Sequence, residues 1–322
     1  MKDEVRTEIE RAAAAIAAAS SIAVTCHINP DGDAIGSALG FAHAARKAGK
    51  DAVVSFGEPF VLPDQFDFLD QTPLVPPKEF PTAPEVLVVF DVAAPDRLGS
   101  IARSAEGAGT VVVVDHHASN DGFGDIAVID PQGAASAVLA TQLIEALGWE
   151  IDQAAATALM VGIVTDTGRF QYSATDGETL RVAARLLDAG VRPEQIGTRI
   201  YESAPFGYLK VSAAVLGRAT LEEELGLVWS VVWKADLKDA GLAFEDADGL
   251  MDDLRIAREA GTAALIKEVE GGFKVSLRSR GETDVGSIAV ANGGGGHHNA
   301  AGFTAEGDLD EVLAAIRAGL GG

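Results

Sequence analysis

The stretch that decides the fold runs over Ser21–Asp33 and reads SIAVTCHINPDGD. Its first part, Ser21–Cys26, is short, uncharged and rich in apolar residues, which is typical of a strand buried on both faces. The second part is a polar turn that carries His27, Asp31 and Asp33 directly behind that strand. This order, a buried strand that opens into a turn of ionisable residues, indicates an α/β protein with its chemistry at the end of a strand.

The same alternation of buried strand and helix continues along the first half of the chain. We expect further strands at Val53–Phe56, Val86–Val92, Thr110–Val114 and Ile126–Ile129, and helices at Ala34–Ala48, Ala135–Leu147, Ala154–Val164 and Thr179–Ala189. Because the apolar runs are continuous rather than alternating, they predict a mostly parallel sheet flanked by helices. A helical stretch from Pro193 to about Arg218 follows, which we interpret as a connector.

From about Leu221 the pattern changes to strands with interspersed helices, and Gly271-Gly272 separates two of the strands as a hairpin. The expected elements are strands at Leu227–Trp233, Ala263–Val269, Phe273–Arg278 and near Gly302–Thr304, and helices at Phe244–Glu259 and Leu309–Ala318. This part of the chain is predicted to form a smaller α/β unit with a mixed sheet. We expect a first domain at residues 1–192, the connector at 193–220 and a second domain at 221–322.

The composition limits the class of protein. The chain has 322 residues, one cysteine, Cys26, and a net charge of −23, from 48 acidic and 25 basic residues. At about 150 residues per domain, this length favours two domains. The acidic balance argues against a broad basic face for duplex DNA. No apolar run reaches the roughly 20 residues that span a bilayer, and the acidic residues at the start are not typical of a signal peptide. We expect a cytoplasmic protein with no membrane partner.

Aspartates and histidines lie at the ends of three predicted strands and one predicted helix. Besides the His27 turn, they are Asp91, the tripeptide Asp115-His116-His117, and Asp166 in Thr165-Asp-Thr-Gly168. Because parallel strands end at one edge of their sheet, these side chains are expected to converge there. Carboxylates and imidazoles without a thiolate suit Mn²⁺ or Mg²⁺, and less specifically Zn²⁺ or Fe²⁺. Two such ions about 3.5–4 Å apart can activate a water for attack on phosphorus.

Three further residues have no such support. We interpret His43 as a helix-face residue and His298 as a loop residue, both without a catalytic role. Cys26 is adjacent to His27 but should point to the opposite side of its strand, so we assign it to packing.

A glycine-rich segment near the end of the chain indicates a second site. It reads NGGGGHHNAAG over residues 292–302, and it follows Arg278 and Arg280, which lie two residues apart on one strand. Paired arginines beside a glycine turn favour a clamp for phosphate or carboxylate. Lys267, across the predicted hairpin, either extends this clamp or is simply solvated.

The motifs resemble a known family. HNPDGD, the Asp91 strand, DHH and TDTGRF resemble the DHH phosphoesterases, and VSLRSR with GGGGHHNAAG resembles the DHHA1 substrate-binding domain. The resemblance covers nearly the whole chain, and is greatest to the NrnA-type oligoribonucleases and 3′-phosphoadenosine-5′-phosphate (pAp) phosphatases. It implies a DHH-like catalytic domain, a DHHA1-like substrate domain and two bound divalent cations, first Mn²⁺, with Mg²⁺ or Co²⁺ as alternatives. A homodimer is compatible with it.

The resemblance also implies a role for each site residue. One cation would be held by His27, Asp31 and Asp91, and the other by Asp33, Asp91, His116 and Asp166. His117 would face the scissile phosphate, and Asp115 would orient a histidine. The far end of the substrate would be bound by Arg278, Arg280 and His297, with Gly295 and Gly296 allowing close approach.

The function implied is hydrolysis of short oligonucleotides (nanoRNA, pApA, cyclic di-AMP as an open case) and pAp to nucleoside 5′-monophosphates, through a water activated by two metals. Three alternatives stay open: a single-strand DNA exonuclease of the RecJ type, a family II inorganic pyrophosphatase, and a catalytically inactive nucleotide-binding regulator. The first usually carries further domains, and the second has a different C-terminal domain.

Overall fold

The computed structural model describes residues 3–321, apart from the side chain at position 297, and divides into two compact units, Met1–Ser203 and Ala204–Gly322. The division falls within the stretch that we interpreted as a connector. That stretch consists of two separate helices, one in each unit. No helix in the described part of the chain is long and apolar enough to cross a bilayer.

The first unit is a parallel sheet flanked by helices, as predicted. Its strands are β1 (Ser21–Thr25), β2 (Asp51–Ser55), β3 (Val86–Phe90), β4 (Thr110–Asp115) and β5 (Ile126–Ile129), and its helices are α1 (Asp3–Ala18), α2 (Gly32–Lys47), α3 (Ala102–Gly107), α4 (Ser136–Ala146), α5 (Gln153–Asp166), α6 (Gly177–Asp188) and α7 (Pro193–Tyr201). All neighbouring strands pair in parallel, in the order β2-β1-β3-β4-β5. Every residue of β3 is buried, which accounts for its continuous apolar sequence.

The strand order determines at which edge of this sheet a ligand can bind. From β1 the chain crosses to β2 on one side, and it then returns to place β3 on the other side of β1. The connections that leave β1 and β3 therefore run apart, which opens a crevice at the carboxyl ends of these two strands. Asp91 directly follows β3, and the His27 turn follows β1 after one residue.

The second unit has a mixed sheet, which confirms the fold class expected for it. Its strands are β6 (Thr220–Glu222), β7 (Leu227–Val232), β8 (Thr262–Val269), β9 (Gly272–Ser279), β10 (Gly295–His297) and β11 (Ala300–Glu306), and its helices are α8 (Phe206–Gly217), α9 (Lys234–Ala240), α10 (Leu250–Leu254), α11 (Val285–Ala291) and α12 (Leu309–Gly319). The order is β10-β11-β9-β8-β7-β6; β7 and β8 pair in parallel and the other neighbours antiparallel.

One element of this unit differs from our expectation. The helix expected over Phe244–Glu259 is only the short α10, preceded by a 3₁₀ turn at Glu245–Ala247. Leu250, Met251 and Leu254 of α10 are buried, whereas beyond α10 Ile256 is 76% exposed. The expected helix was too long because apolar spacing alone does not reveal where the chain leaves the core.

Glycines bring α2 and α5 unusually close together in the first unit. Gly32, Gly36 and Gly40 recur every fourth residue and therefore lie on one side of α2. A Cβ at Gly36 would lie 2.4 Å from the carbonyl oxygen of Ala158 on α5. Because Asp166 is the last residue of α5, this close approach sets where its carboxylate lies relative to the sheet edge.

Gly36→Ala is expected to lower the free energy of unfolding by about 1–3 kcal/mol, because the added methyl group overpacks the contact between α2 and α5. The matched control is Gly197→Ala on α7, where a Cβ meets open space. That variant should be more stable than the wild type by about 0.5–1 kcal/mol, the usual gain from glycine to alanine within a helix. Urea unfolding of the three proteins measures both effects. A Gly36→Ala protein as stable as the Gly197→Ala control would contradict the role of this contact.

Candidate metal centre

His27 and Asp31 begin the site at the carboxyl end of β1. The Nδ1 atom of His27 donates to the carbonyl of Ile28 at 2.8 Å, which turns Nε2 towards two carboxylates. Nε2 lies 3.6 Å from Asp91 Oδ2 and 3.8 Å from Asp31 Oδ2. Asp31 caps α2, because its Oδ1 accepts two backbone N–H groups of the first turn at 3.1 Å each. Its second oxygen therefore stays on the side of His27.

Asp33 is buried and is held by the start of α4. Its Oδ2 accepts the backbone N–H of Ser136 at 2.6 Å, and its Oδ1 accepts that of Ala137 at 2.9 Å. The first N–H groups of a helix have no partner within the helix and carry a partial positive charge. Two of them stabilise this buried carboxylate and orient it towards His116, whose Nε2 is 3.9 Å from Asp33 Oδ2.

His116, which directly follows β4, lies close to Asp91 after β3 and to Asp166 at the end of α5. Its Nδ1 lies 3.1 Å from the carbonyl oxygen of Gly133, so Nε2 faces the site. Nε2 is 3.2 Å from Asp166 Oδ2 and 3.6 Å from Asp91 Oδ1. The end of α5 thus contributes to the same site as the end of β4, although Asp166 and His116 are 50 positions apart along the chain.

Asp91 lies between two groups of possible ligands. One is His27, Asp31 and Asp91, and the other is Asp33, His116 and Asp166, and within each group the ligand atoms lie within 4.8 Å of one another. Asp91, His116 and His117 meet the same distance limit, because His117 Nδ1 lies 3.6 Å from Asp91 Oδ1. The Oδ2 atom of Asp91 faces the first group and its Oδ1 faces the second. The Ser136 hydroxyl donates to Oδ1 at 3.0 Å and fixes this orientation. The structure therefore brings together all six residues that the sequence analysis named as metal ligands.

The electrostatics show that the site has an excess of negative charge. Burial, followed by the charge of Asp91, raises the pKa of Asp33 to about 7. Burial, followed by the charge of Asp33, raises the pKa of Asp166 to about 7. Burial opposes the charged form of His116, but Asp166, Asp33 and Asp91 raise its pKa to about 9. These side chains favour bound positive charge, and their oxygen and imidazole donors fit Mn²⁺ or Mg²⁺. The single thiol, Cys26, is fully buried in the core.

His117 lies beside this site and is oriented by Asp115. The Nδ1 atom of His117 is 2.7 Å from Asp115 Oδ1, which also accepts the backbone N–H of His116 at 2.8 Å. The other oxygen of Asp115 accepts the side-chain amide of Asn120 at 2.7 Å, and the same amide donates to the carbonyl of Val92 at 3.0 Å. Burial favours the neutral form of Asp115, but the hydrogen bond from His117 outweighs it and holds the pKa of Asp115 below its usual range.

Sequence reasoning missed Asn120 and Ser136. Asparagine in a polar loop is an ordinary turn former, and serine at a helix start is an ordinary cap, so neither residue type distinguishes a role at a site. The three residues to which we gave no catalytic role, His43, His298 and Cys26, lie outside all of these groups of possible ligands. His43 contacts the carbonyl oxygen of Asp70 at 2.8 Å.

The residues expected to bind the far end of the substrate lie in the second unit. Arg278 is on β9, and Ala300 on β11 pairs with both Arg278 and His297 on β10. The side chain of His297 lies outside the described part of the structure. One terminal nitrogen of Arg280 donates to the carbonyls of Ala257 and Ala260, at 2.5 Å and 2.7 Å.

Two details of this unit refine the sequence analysis. Gly296 has φ of +139°, and a Cβ there would lie 2.5 Å from the carbonyl oxygen of Ala300, so the strand pairing itself requires a glycine. Gly295 has open space around it. Lys267 neither extends the clamp nor is solvated: it is 1% exposed, ion-paired with Asp248, and 3.8 Å from the ring centre of Phe244.

Comparison with known proteins gives matches over both units. Residues 21–163 match the family model described as DHH family, N-terminal domain, and residues 227–321 match the DHHA1 domain. The chain is 36% identical over 304 residues to the bifunctional oligoribonuclease and PAP phosphatase NrnA of Thermus thermophilus, covering 92% of this chain and 89% of that protein. It is 25% identical to the protein of the same name from Bacillus subtilis, over 89% of this chain and 91% of that protein.

A solved structure has the same fold. The exopolyphosphatase-related protein from Bacteroides fragilis superposes with a TM-score of 0.91 and 23% identity, covering 98% of this chain and 96% of that one.

Asp91→Asn is expected to separate metal binding from the stability of the metal-free protein. Without metal, the variant should be more stable by about 1–3 kcal/mol, because one negative charge leaves a buried group of carboxylates. With Mn²⁺, the wild type should gain about 2.7 kcal/mol at a hundredfold excess over Kd, and the variant far less. Thermal unfolding with and without Mn²⁺, together with metal analysis, measures both. The exposed Asp96→Asn is the control. Equal Mn²⁺ content in Asp91→Asn and wild type would refute the central position of Asp91.

Proposed function

The chain belongs to the DHH family of phosphoesterases and carries a DHHA1 domain, and from this premise we propose that it hydrolyses short oligoribonucleotides and pAp to nucleoside 5′-monophosphates with two divalent cations, Mn²⁺ first. The observation that carries the proposal is Asp91, whose two oxygens face two separate groups of ligand atoms. The names of the NrnA proteins support the choice of substrates.

The proposed ligands form two sets, one for each cation. His27, Asp31 and Asp91 would hold one cation, and Asp33, Asp91, His116 and Asp166 the other. Two cations in such a site supply an activated water and neutralise charge on the phosphate oxygens. The protein itself holds these carboxylates in place, through the start of α4 for Asp33 and through the Ser136 hydroxyl for Asp91.

We propose that His117 transfers a proton to the leaving oxygen of the substrate. Its Nδ1 is bound to Asp115, so the transfer would use Nε2. Burial opposes the charged form, but Asp115 and Asp91 raise the pKa of His117 above its ordinary value, which suits a group that donates a proton. Asn120 orients Asp115 and thereby the imidazole.

Arg278, Arg280, Gly295, Gly296 and His297 are proposed to bind the terminal phosphate or nucleotide of the substrate. Arg280 uses one terminal nitrogen for two carbonyls of its own unit, so a phosphate would bind through its other N–H groups. Such anchoring costs the side chain less conformational freedom when an anion binds. A net charge of −23 opposes the approach of long polyanions, which favours short substrates over long nucleic acids.

A substrate panel tests the proposal. Purified protein with Mn²⁺ is given pAp, pApA, cyclic di-AMP, a trinucleotide RNA, inorganic pyrophosphate and long single-stranded DNA, with Mg²⁺ and Co²⁺ in parallel. Release of AMP from pAp and pApA is the expected result. Hydrolysis of pyrophosphate alone would indicate a pyrophosphatase, degradation of the long DNA alone an exonuclease of the RecJ type, and nucleotide binding without turnover a regulator; each would overturn the proposal.

His117→Ala is expected to lower kcat for pApA about 10²–10⁴-fold, the usual contribution of a general acid. With the p-nitrophenyl ester of thymidine 5′-monophosphate the loss should be much smaller, because nitrophenolate leaves without being protonated. Asn120→Ala should show the same selectivity to a lesser degree. His298→Ala, at a half-exposed histidine outside the ligand groups, is the control. An equal loss on both substrates would argue against a proton-transfer role.

A further inference from the structure

The arginines of the first unit differ in their partners. Most of them have a carboxylate within 4 Å: Arg6, Arg11, Arg181, Arg185, Arg192 and Arg199. Arg46 instead donates to two backbone carbonyls. Among residues 3–321, no carboxylate partner is found for Arg97, Arg103 or Arg169. In a chain with 48 acidic and 25 basic residues, an arginine without such a partner is unusual.

Arg97 is the one of these three that contacts a proposed metal ligand. It lies in the 3₁₀ helix that follows β3, and one terminal nitrogen of its exposed guanidinium is 3.4 Å from Nδ1 of His27. The backbone holds it there, because the carbonyl of Arg97 accepts the N–H of Ile28 at 2.9 Å. The segment after β3 is thereby tied to the segment after β1.

The contact with His27 does not provide a hydrogen-bond acceptor for the guanidinium of Arg97. Nδ1 of His27 already donates its proton to the carbonyl of Ile28, so it offers no lone pair to an arginine N–H. The Arg97 guanidinium is exposed on the Nδ1 side of His27, and no further protein acceptor is found for its N–H groups among the residues the structure describes. A guanidinium is always charged, and its fork of donors matches two oxygens of a phosphate.

A permanent cation at this place opposes the binding of metal ions and favours the binding of an anion. We propose that Arg97 binds a nonbridging oxygen of the substrate phosphate beside His27. This assignment rests on the proposed function, because it takes the anion to be the phosphate ester that is hydrolysed. Arg97 would offset the negative charge of the surrounding carboxylates where a phosphate has to approach them.

The other two arginines provide a contrast. The guanidinium of Arg169 lies 4.5 Å above the ring of Tyr201, so an aromatic face already covers one side of it. Arg103 is exposed on α3 and contacts no proposed ligand in the described part of the chain. Arg103 is therefore a matched control, an exposed arginine of the same unit that also has no carboxylate partner.

The test compares Arg97→Gln, Arg97→Lys and Arg103→Gln with the wild type. Arg97→Gln is expected to raise KM for pAp about ten- to a hundredfold, the range for a hydrogen bond to a charged group, with a smaller change in kcat. Arg97→Lys, which keeps the charge but not the fork, should recover part of the loss. Arg103→Gln should match the wild type. At saturating Mn²⁺, metal content and unfolding temperature should be the same in all four proteins.

Binding of AMP to the Mn²⁺-loaded proteins, measured by calorimetry, separates this proposal from the proposed function. If the wild type hydrolyses no substrate of the panel but binds AMP, the proposed function is refuted. Weaker AMP binding by Arg97→Gln than by the wild type would still support the phosphate contact. A wild type that binds no AMP overturns both. KM and AMP affinity within twofold of the wild type in Arg97→Gln would overturn the assignment. Loss of Mn²⁺ from Arg97→Gln would overturn it too, because Arg97 would then support His27 rather than bind substrate.

Discussion

The structure of the first unit depends on holding four carboxylates against one another at the edge of a parallel sheet. Like charges in a buried place repel, and the pKa values of Asp33, Asp91 and Asp166 are raised first by burial and then by that repulsion. The fold opposes it with fixed donors, namely the first N–H groups of α2 on Asp31 and those of α4 on Asp33. These donors orient the carboxylates but do not neutralise them, so the protein alone leaves a site that favours divalent cations.

Much of this arrangement could be predicted because it follows from chain direction. A buried parallel strand presents the residues after it at one edge, so placing His27, Asp91 and His116 required only that their strands be recognised. The parallel sheet and the mixed sheet are confirmed, and so is the hairpin, although its turn is Glu270-Gly271 because Gly272 already pairs with Val269. Asp166 was a weaker inference, because a helix end has no fixed place at a sheet edge. The information lay in the glycines of α2, which encode packing against α5 and carry no chemistry of their own.

What could not be predicted depends on contacts between distant loops. Ser136, Asn120 and Arg97 reach the site residues through one or two hydrogen bonds or close contacts that exist only once the segments after β1, β3, β4 and β5 have met. Short elements were missed for a different reason. The helices α9 and α11 have seven residues each, fewer than an apolar period needs to repeat clearly. The continuous helical stretch expected from Pro193 is interrupted at residues 202–205, where Pro205 precedes the next helix.

The backbone at Asp91 shows how strongly the site constrains the fold. Asp91 has φ of +58°, in the left-handed region that costs a residue with a Cβ roughly 1–2 kcal/mol. Its N–H still donates to the carbonyl of Val114 at 3.0 Å, so the sheet pairing continues up to this residue. A strand that simply continued would carry the side chain along one face of the sheet. The left-handed turn instead places the carboxylate across the edge, where one oxygen faces His27 and the other faces His116. Glycine would adopt this conformation without strain but has no carboxylate, so the strain at Asp91 persists because both groups of ligands need the same side chain.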